Sequence, residues 1–396
     1  MPSLLTITTL FPNPVQPTHG AFVATRIGKL LATGEIDGEV IAPIPWLPPL
    51  VNYPSLGPLA RVPRVRQWKH VAIHHPRYLV VPKIGMKLTP HTLFWTLKRT
   101  LERLLAQGRH FDLIDAHYFY PDGVAAVALA RHFGIPVTVT ARGTDLNLIP
   151  EYPVPRRMIC EAAERADGLI TVCQALKDRL VDLGTPPGRI TVLRNGVDLD
   201  LFKPMDRDVA RANLGLTRRT LGSVGWLIER KGHHHAIGAL AALPDTDLLI
   251  VGEGPERPAL ERLAAAEGVG DRVRFLGRVE QVRLPEIYSA LDALVLASSR
   301  EGWANVLLEA MACGTPVVAS AVWGTPEVVT TPEAGVLMKR LDRQGVVEGV
   351  TRLFSAYPQR AETRRYAERF SWDATTQGQL NLFRQILSAR QPNKSA

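Results

Sequence analysis

Cysteine is scarce in this sequence. Cys160, Cys173 and Cys313 are the three in 396 residues, and no two are spaced as Cys-x-x-Cys. An odd, scattered set excludes a disulfide framework and points to a reducing compartment. Long apolar runs are missing too: none approaches the ~18 residues that a membrane-spanning helix needs. The opening stretch MPSLLTITTLFPNP has no basic region of the kind that begins a signal peptide and reads instead as a first strand. There is no solenoid-type repeat and no low-complexity tract. The expectation is a cytoplasmic protein, able to sit peripherally on the inner face of a membrane. Acids are nearly absent from one block. Between positions 61 and 109 stand eleven Lys and Arg residues and a single acid, Glu102, so this block holds the whole of the chain's +9 excess.

What is present is an alternation. Short β-branched runs at 4–8, 40–42, 113–116, 137–140, 169–172 and 190–193 are separated by helical patterns, for example at 22–32 and 155–165. A second series follows at 221–224, 248–251, 273–276, 293–296 and 316–319, with helical patterns at 258–267 and 284–291. Such βαβ alternation predicts parallel sheets covered by helices on both faces. The series breaks once, at RNGVDLDLFKPMDRD, where Asn195-Gly196 and Lys203-Pro204 supply turn chemistry. An α/β chain of two doubly wound, Rossmann-like domains follows: 1–200, then 201–372, with 373–396 a final amphipathic helix that crosses back onto the first domain. The region 43–90, rich in proline and aromatics, is the least regular.

In open parallel sheets ligands bind at the carboxyl ends of strands, where loops enter helices. EGWANVLLEAMACGTPVVAS, residues 301–320, begins just after the strand at 293–296. A helix starting near Asn305 offers unpaired amides and a partial positive charge to a phosphate. Gly302 allows close approach to the backbone. Glu301 in the loop and Glu309 one turn into the helix can each accept hydrogen bonds from a different polyol. A diphosphate with hydroxyl-rich groups on either side is a nucleotide sugar. The alternative from spacing alone is that both acids only complement the helix dipole, at ~0.3–1 kcal/mol each.

The pair Glu301-x7-Glu309 within that stretch resembles the signature of retaining glycosyltransferases of family 4, which have the GT-B fold. The resemblance runs through FPNPVQPTHGAF, DLIDAHYFYPDG, VLRNGVDLDLF, VGWLIERKGHHHAI, LLIVGEGPER and RVRFLGRVEQVRLPEIYSALDALVLAS to the closing FSWD, with the teichuronic acid and exopolysaccharide branch the nearest in look. It implies a cleft between the domains. It implies catalytic roles for His117 beneath the donor sugar, Glu301 on sugar hydroxyls, and Lys231 and Arg230 on the diphosphate. Glu309 would hold the ribose, with the base against Arg278 and Val279. Gly20, Gly302, Trp303, Ala304, Asn305 and Val306 would complete the donor site, and Arg142 and Asp145 would meet an acceptor or its phosphate. Two positions depart from the family. Trp226 stands where many relatives carry an arginine, and Arg142 where many carry a histidine.

No Asp-x-Asp reads as a metal site, and Lys231, Arg230 and the helix amides can replace a divalent ion, so neither a metal nor another cofactor is expected. Three consecutive histidines, His233 to His235, point about 100° apart on a helix and do not converge on one ion. "GEGPER" lacks the lysine and spacing of a phosphate loop and reads as a tight strand–helix turn. In the basic block, Trp46, Tyr53, Trp68, Tyr78, Phe94 and Trp95 are interleaved with the cations. Trp and Tyr favour the membrane interface, and each cation near anionic lipid contributes ~1 kcal/mol. Arg61, Arg64, Arg66, Trp68 and Lys69 are therefore expected to face a membrane; a solvated charged face is the plainer reading, and no nucleic-acid module is recognisable. The resulting expectation is a monomeric, metal-independent enzyme that moves a sugar from a nucleotide-diphosphate sugar, UDP favoured, to a membrane-borne glycan or lipid with retention. A nucleotide-sugar epimerase or hydrolase on the same fold, or a non-catalytic basic binding protein, are the alternatives.

Overall fold

The computed structural model describes residues 1–48, 56–80 and 85–390; Tyr53 and Lys83 of the basic block lie outside them. The chain divides into two compact units, Met1–Leu193 with Ala374–Ala396, and Arg194–Asp373.

The first unit is built on an eight-stranded sheet. Its strands are β1 (Ser3–Ile7), β2 (Asp37–Ile41), β4 (Val65–Trp68), β5 (Val71–His74), β7 (Leu113–His117), β8 (Val137–Ala141), β9 (Gly168–Thr171) and β10 (Ile190–Val192). A separate two-stranded ribbon pairs β3 (Ile44–Trp46) with β6 (Arg77–Leu79). The order is β10-β9-β8-β7-β1-β2-β5-β4, parallel except where β4 runs against β5. Every residue of β7 and β8 is buried, as expected for central parallel strands covered on both faces. β1 pairs with β2 on one side and β7 on the other. The chain therefore leaves β1 in one direction and returns on the other side, and the carboxyl ends of β1, β7 and β8 form the switch point of this sheet.

The first helix, Ala21–Leu31, buries Val23, Ala24, Ile27, Leu30 and Leu31 against Leu4, Phe11 and Val40. It starts from Gly20 at φ 66°, where an added Cβ would lie 2.3 Å from the Leu10 carbonyl carbon. Only glycine fits there. The helix Trp372–Arg390 places Leu380, Phe383 and Ile386 in the same cluster, so the end of the chain completes the core of its beginning.

The stretch 43–90 holds more structure than its proline content indicates. Besides the short strands it leads into a 22-residue helix, Gly85–Ala106, which contains Pro90. Proline has no N–H for the carbonyl four residues back. That carbonyl, of Met86, instead accepts from the Tyr120 hydroxyl.

The second unit is a six-stranded, wholly parallel sheet of β11 (Arg219–Val224), β12 (Thr246–Val251), β13 (Val273–Gly277), β14 (Ala293–Leu296), β15 (Val317–Ser320) and β16 (Gly335–Met338), ordered β13-β12-β11-β14-β15-β16. Its switch point lies between β11 and β14. The division from the first unit falls before Arg194, not after residue 200. The Asn195-Gly196 turn belongs to the second unit because Val197 N–H donates to Phe370 O (2.8 Å) and Asn195 Nδ2 reaches Asn305 Oδ1 (3.3 Å).

Phe383 is 3% exposed at the centre of the junction between the last helix and the first sheet. Phe383→Ala is expected to cost about 3–5 kcal/mol, read as a fall in the urea midpoint of the first unit's transition.

Candidate active site

In the second unit the site grows from two loops. After β11 the chain passes Gly225 and makes one 3₁₀ turn, Glu229–Lys231, before Gly232 opens the helix His233–Ala239. Gly232 has φ 70°, and a Cβ there would sit 1.9 Å from the Ala297 carbonyl oxygen. This close backbone approach brings the loop against the end of β14. Ser299 N–H donates to Arg230 O at 2.9 Å. As a result Lys231 Nζ lies 2.6 Å from Glu301 Oε1, and Arg230 Nη1 lies 3.8 Å from the same oxygen while donating to Arg300 O at 2.6 Å. Two cations share one buried carboxylate, leaving a net positive charge.

Gly302, Trp303 and Ala304 follow, all buried, and the helix Asn305–Ala312 begins with no side-chain cap from Ala304. Asn305 and Val306 are half-buried in its first turn. Trp303 turns inward, its ring centroid 6.1 Å from Phe370, so only its backbone remains for a ligand. Glu309 accepts from the Tyr288 hydroxyl at 2.9 Å, and burial raises its carboxyl to about 7. Arg278 and Val279 leave the end of β13; Arg278 is exposed, 4.0 Å from Glu253.

The lysine-bearing loop is held from behind. His233 Nδ1 lies 2.8 Å from Ser223 Oγ, and its Nε2 lies 3.3 Å from the Trp226 carbonyl oxygen. Burial lowers this imidazole to about 4, so it is neutral. The Trp226 indole is 52% exposed and brings no charge to the loop. The turn in "GEGPER" supports the same loop, since Leu227 N–H donates to Glu253 O at 2.9 Å.

In the first unit His117 ends β7, and Asp115, two residues earlier, shares its face of the sheet. His117 Nε2 is 2.9 Å from Asp115 Oδ2, and its Nδ1 is 2.5 Å from Arg142 Nη2. Both side chains of the His117–Asp115 pair are fully buried. Burial pulls the imidazole down to about 4; Asp115 opposes this and Arg142 reinforces it. Arg142 follows β8, its guanidinium 5.7 Å over the Phe22 ring at the start of the first helix, beside Gly20. The expectation that Asp145 meets an acceptor is not met. Its carboxylate instead accepts backbone N–H groups of Phe119 (2.6 Å), Arg142 (3.0 Å) and Gly143 (2.6 Å), because this turn leaves those donors buried. Asp122 does similar work, taking the Thr9 N–H (2.6 Å) and hydroxyl (2.9 Å) with its carboxyl raised to about 8 by burial. Asp115 and Asp122 are buried acids beside these residues that the sequence alone does not single out. A signal for the first exists in DLIDAH, a carboxylate inside an otherwise apolar strand.

The basic block separates on folding. Arg61, Arg64 and Lys69 are exposed. Arg66 turns inward to Pro12 O (2.5 Å) and His75 Nε2 (3.1 Å), and Trp68 stands edge-on to Phe11 at 5.3 Å, packed on the core. These two are absorbed because β4 is an edge strand whose alternate side chains must cover the first helix. On β4 itself Val65 is the exposed apolar side chain; larger ones are exposed at Trp46 and Leu79 on the ribbon and at Met86, Leu88 and Trp95 on the helix Gly85–Ala106. Lys98 Nζ sits 5.4 Å over the Trp95 ring. No helix among the described residues is long and apolar enough to cross a membrane.

Two family models match the chain: Glycosyltransferase Family 4 over residues 34–201 and Glycosyl transferases group 1 over residues 205–370. A D-inositol 3-phosphate glycosyltransferase of Mycobacteroides abscessus is 32% identical over 306 residues, covering 72% of this chain and 68% of its own length. The chain belongs to the family 4, group 1 glycosyltransferases. Its fold is GT-B, two Rossmann-like α/β units. The sucrose-phosphate synthase of Thermosynechococcus elongatus matches 98% of this glycosyltransferase and 100% of that chain with a TM-score of 0.82 at 22% identity. Anabaena Alr3699/HepE, in complex with UDP, matches 97% of this chain and 100% of its own with a TM-score of 0.73 at 20% identity. The protein is thus an enzyme that takes its sugar from a nucleotide-sugar donor.

Asp145→Ala would leave three buried N–H groups without an acceptor. A loss of about 3 kcal/mol or more is expected, measured by urea unfolding, with Asp145→Asn falling between the variant and the parent.

Proposed function

We propose that this glycosyltransferase moves a hexose from a UDP-sugar to an acceptor hydroxyl with retention of configuration, without calling on a metal ion. The observation that carries the reading is the cationic cluster of Lys231, Arg230 and Glu301 beside the uncapped start of the helix Asn305–Ala312. Breaking the bond between the anomeric carbon and the diphosphate puts negative charge on the leaving oxygens. Fixed cations and amides aimed at that charge are the largest catalytic contribution available to such a site. In this reading Lys231 and Arg230 take the diphosphate, and Glu301 both orients Lys231 and accepts sugar hydroxyls. Glu309 accepts the ribose hydroxyls, and the base rests at Arg278 and Val279. The acceptor oxygen attacks on the face the diphosphate leaves, and its proton passes to a diphosphate oxygen. His117 and Arg142 form the first unit's contribution to the reaction. Trp226 removes one cation from the loop, so Lys231 carries more of the load here than in relatives with an arginine.

A membrane-borne glycan or glycolipid acceptor, of the kind the teichuronic acid and exopolysaccharide branch uses, is the reading favoured by the exposed Met86, Leu88 and Trp95 among Lys87, Lys98 and Arg99. Aromatic and aliphatic side chains mixed with cations on one helix suit an anionic interface. In this reading the membrane-facing surface is the helix Gly85–Ala106 rather than Arg66 and Trp68, and the enzyme works peripherally on the cytoplasmic side. A second reading, a small phosphorylated inositol as acceptor, is favoured by relatives such as those of Mycobacteroides abscessus and Salinispora arenicola, both named D-inositol 3-phosphate glycosyltransferases. Assaying UDP-sugars against inositol phosphate and against a bacterial envelope lipid extract separates the two.

Lys231→Ala is expected to lower kcat/KM by about 10²–10³-fold with an unchanged melting temperature; full activity would remove the diphosphate from this loop. Ribose binding needs the Glu309 carboxylate ionised. UDP affinity should therefore hold above about pH 7 and weaken toward about tenfold per unit below it, a dependence that calorimetry should find abolished in Glu309→Gln. For the membrane surface, Trp95→Ala with Lys98→Ala should release the protein from anionic vesicles, while Arg66→Ala should not.

A further inference from the structure

Gln379 lies in the helix Trp372–Arg390 and is 1% exposed. Its side-chain amide bridges two buried charges of the first unit. Oε1 accepts from Arg26 Nε at 2.7 Å, and Nε2 donates to Asp115 Oδ2 at 2.9 Å. A guanidinium only donates and a carboxylate only accepts, so the amide has one possible orientation. Asp115 also accepts the Thr138 hydroxyl at 2.8 Å and lies 2.9 Å from His117 Nε2. On the far side of that imidazole stands Arg142 Nη2, 2.5 Å from Nδ1. A guanidinium only donates, so Nδ1 is the acceptor and the neutral ring carries its hydrogen on Nε2, which lies close to Asp115 Oδ2 without the alignment of a formed hydrogen bond.

The interposed amide has a definite effect on Asp115. Arg26 is a buried cation, 2% exposed, whose charge acts on that carboxylate. A direct pair between the two would draw Asp115 toward the first helix and away from His117. Gln379 satisfies Arg26 with a neutral oxygen and returns a donor to Asp115, leaving the carboxylate in reach of the imidazole. Such outer partners fix ring orientation and tautomer wherever a histidine must be held for chemistry.

We infer that Gln379, contributed by the C-terminal helix, is a positioning residue for His117, acting through Asp115, whose carboxylate it fixes beside Nε2, to hold the imidazole in one orientation. The inference rests on the proposed part of His117 in the reaction, but its primary test does not. In the full chain with ¹⁵N-histidine, the His117 signal, assigned by its loss in His117→Asn, should report the neutral Nε2–H tautomer between about pH 6 and pH 8. Gln379→Met keeps the volume and removes the amide; Gln379→Glu keeps the shape and sets a second carboxylate against Asp115. Both should shift and broaden the His117 ring signals and lower kcat about tenfold, with the UDP dissociation constant unchanged. An Nδ1–H tautomer in the parent protein, or an unaltered His117 signal in a folded variant, overturns the inference. The parent measurement stands even if neither variant folds. An altered His117 signal with undiminished kcat supports the positioning and overturns instead the place of His117 in the reaction.

Discussion

The ion pair between Lys231 and Glu301 is the interaction that joins the two loops at the switch point of the second sheet. Two cations, Lys231 and Arg230, are held on one short loop, and like charges about 4 Å apart repel by roughly 4 kcal/mol near a protein surface. The carboxylate that both approach makes the arrangement stable enough to exist. It also holds the ammonium and the guanidinium to one side of the same loop. The pair forms only because Gly232 lets the loop after β11 press its backbone against the end of β14. The switch point of the sheet is therefore a charge-assembly device as much as a crevice.

The first unit solves a related problem with the opposite emphasis. Its charges are buried outright, and each is matched by a neutral or opposite partner: Asp115 by Thr138 and Gln379, Asp145 by three backbone amides, Asp122 by Thr9. Buried polar groups tolerate little mispairing, so such a network is rigid. The rigidity depends on residues far apart in the chain, since Gln379 and Asp115 are brought together only when the last helix closes the first core. The lysine-bearing loop after β11 and the buried imidazole of His117 thus each lie at the carboxyl end of a strand in a parallel sheet.

Much of this was legible from the residues. Parallel central strands such as β7, β8 and β14 announce themselves as β-branched or apolar runs because both faces are covered. The helix at Asn305 and the two glutamates around it follow from local spacing. The stretch 43–90 was not legible. Its strands are only three or four residues long, and its main helix carries a proline whose lost hydrogen bond is replaced by Tyr120, a partner 34 residues away from Met86. Nor could composition tell that Arg66 and Trp68 turn inward while Trp46 and Trp95 stay exposed. Sequence counts charges and rings, and only packing says which side of a strand or helix they occupy.

The sequence by itself determined the fold class, the two sheets, the family, and the identity of the residues from Glu301 to Glu309, because each depends on periodicity or on neighbours within a turn or two. Tertiary structure alone decided which charges meet. The 2.6 Å contact of Lys231 with Glu301, the bond from the Phe119 amide to Asp145, and the contact of Gln379 with Asp115 join residues separated by whole strands or helices. Electrostatic partnership depends on distance in space, and distance along a chain carries no record of it until the sheets have closed.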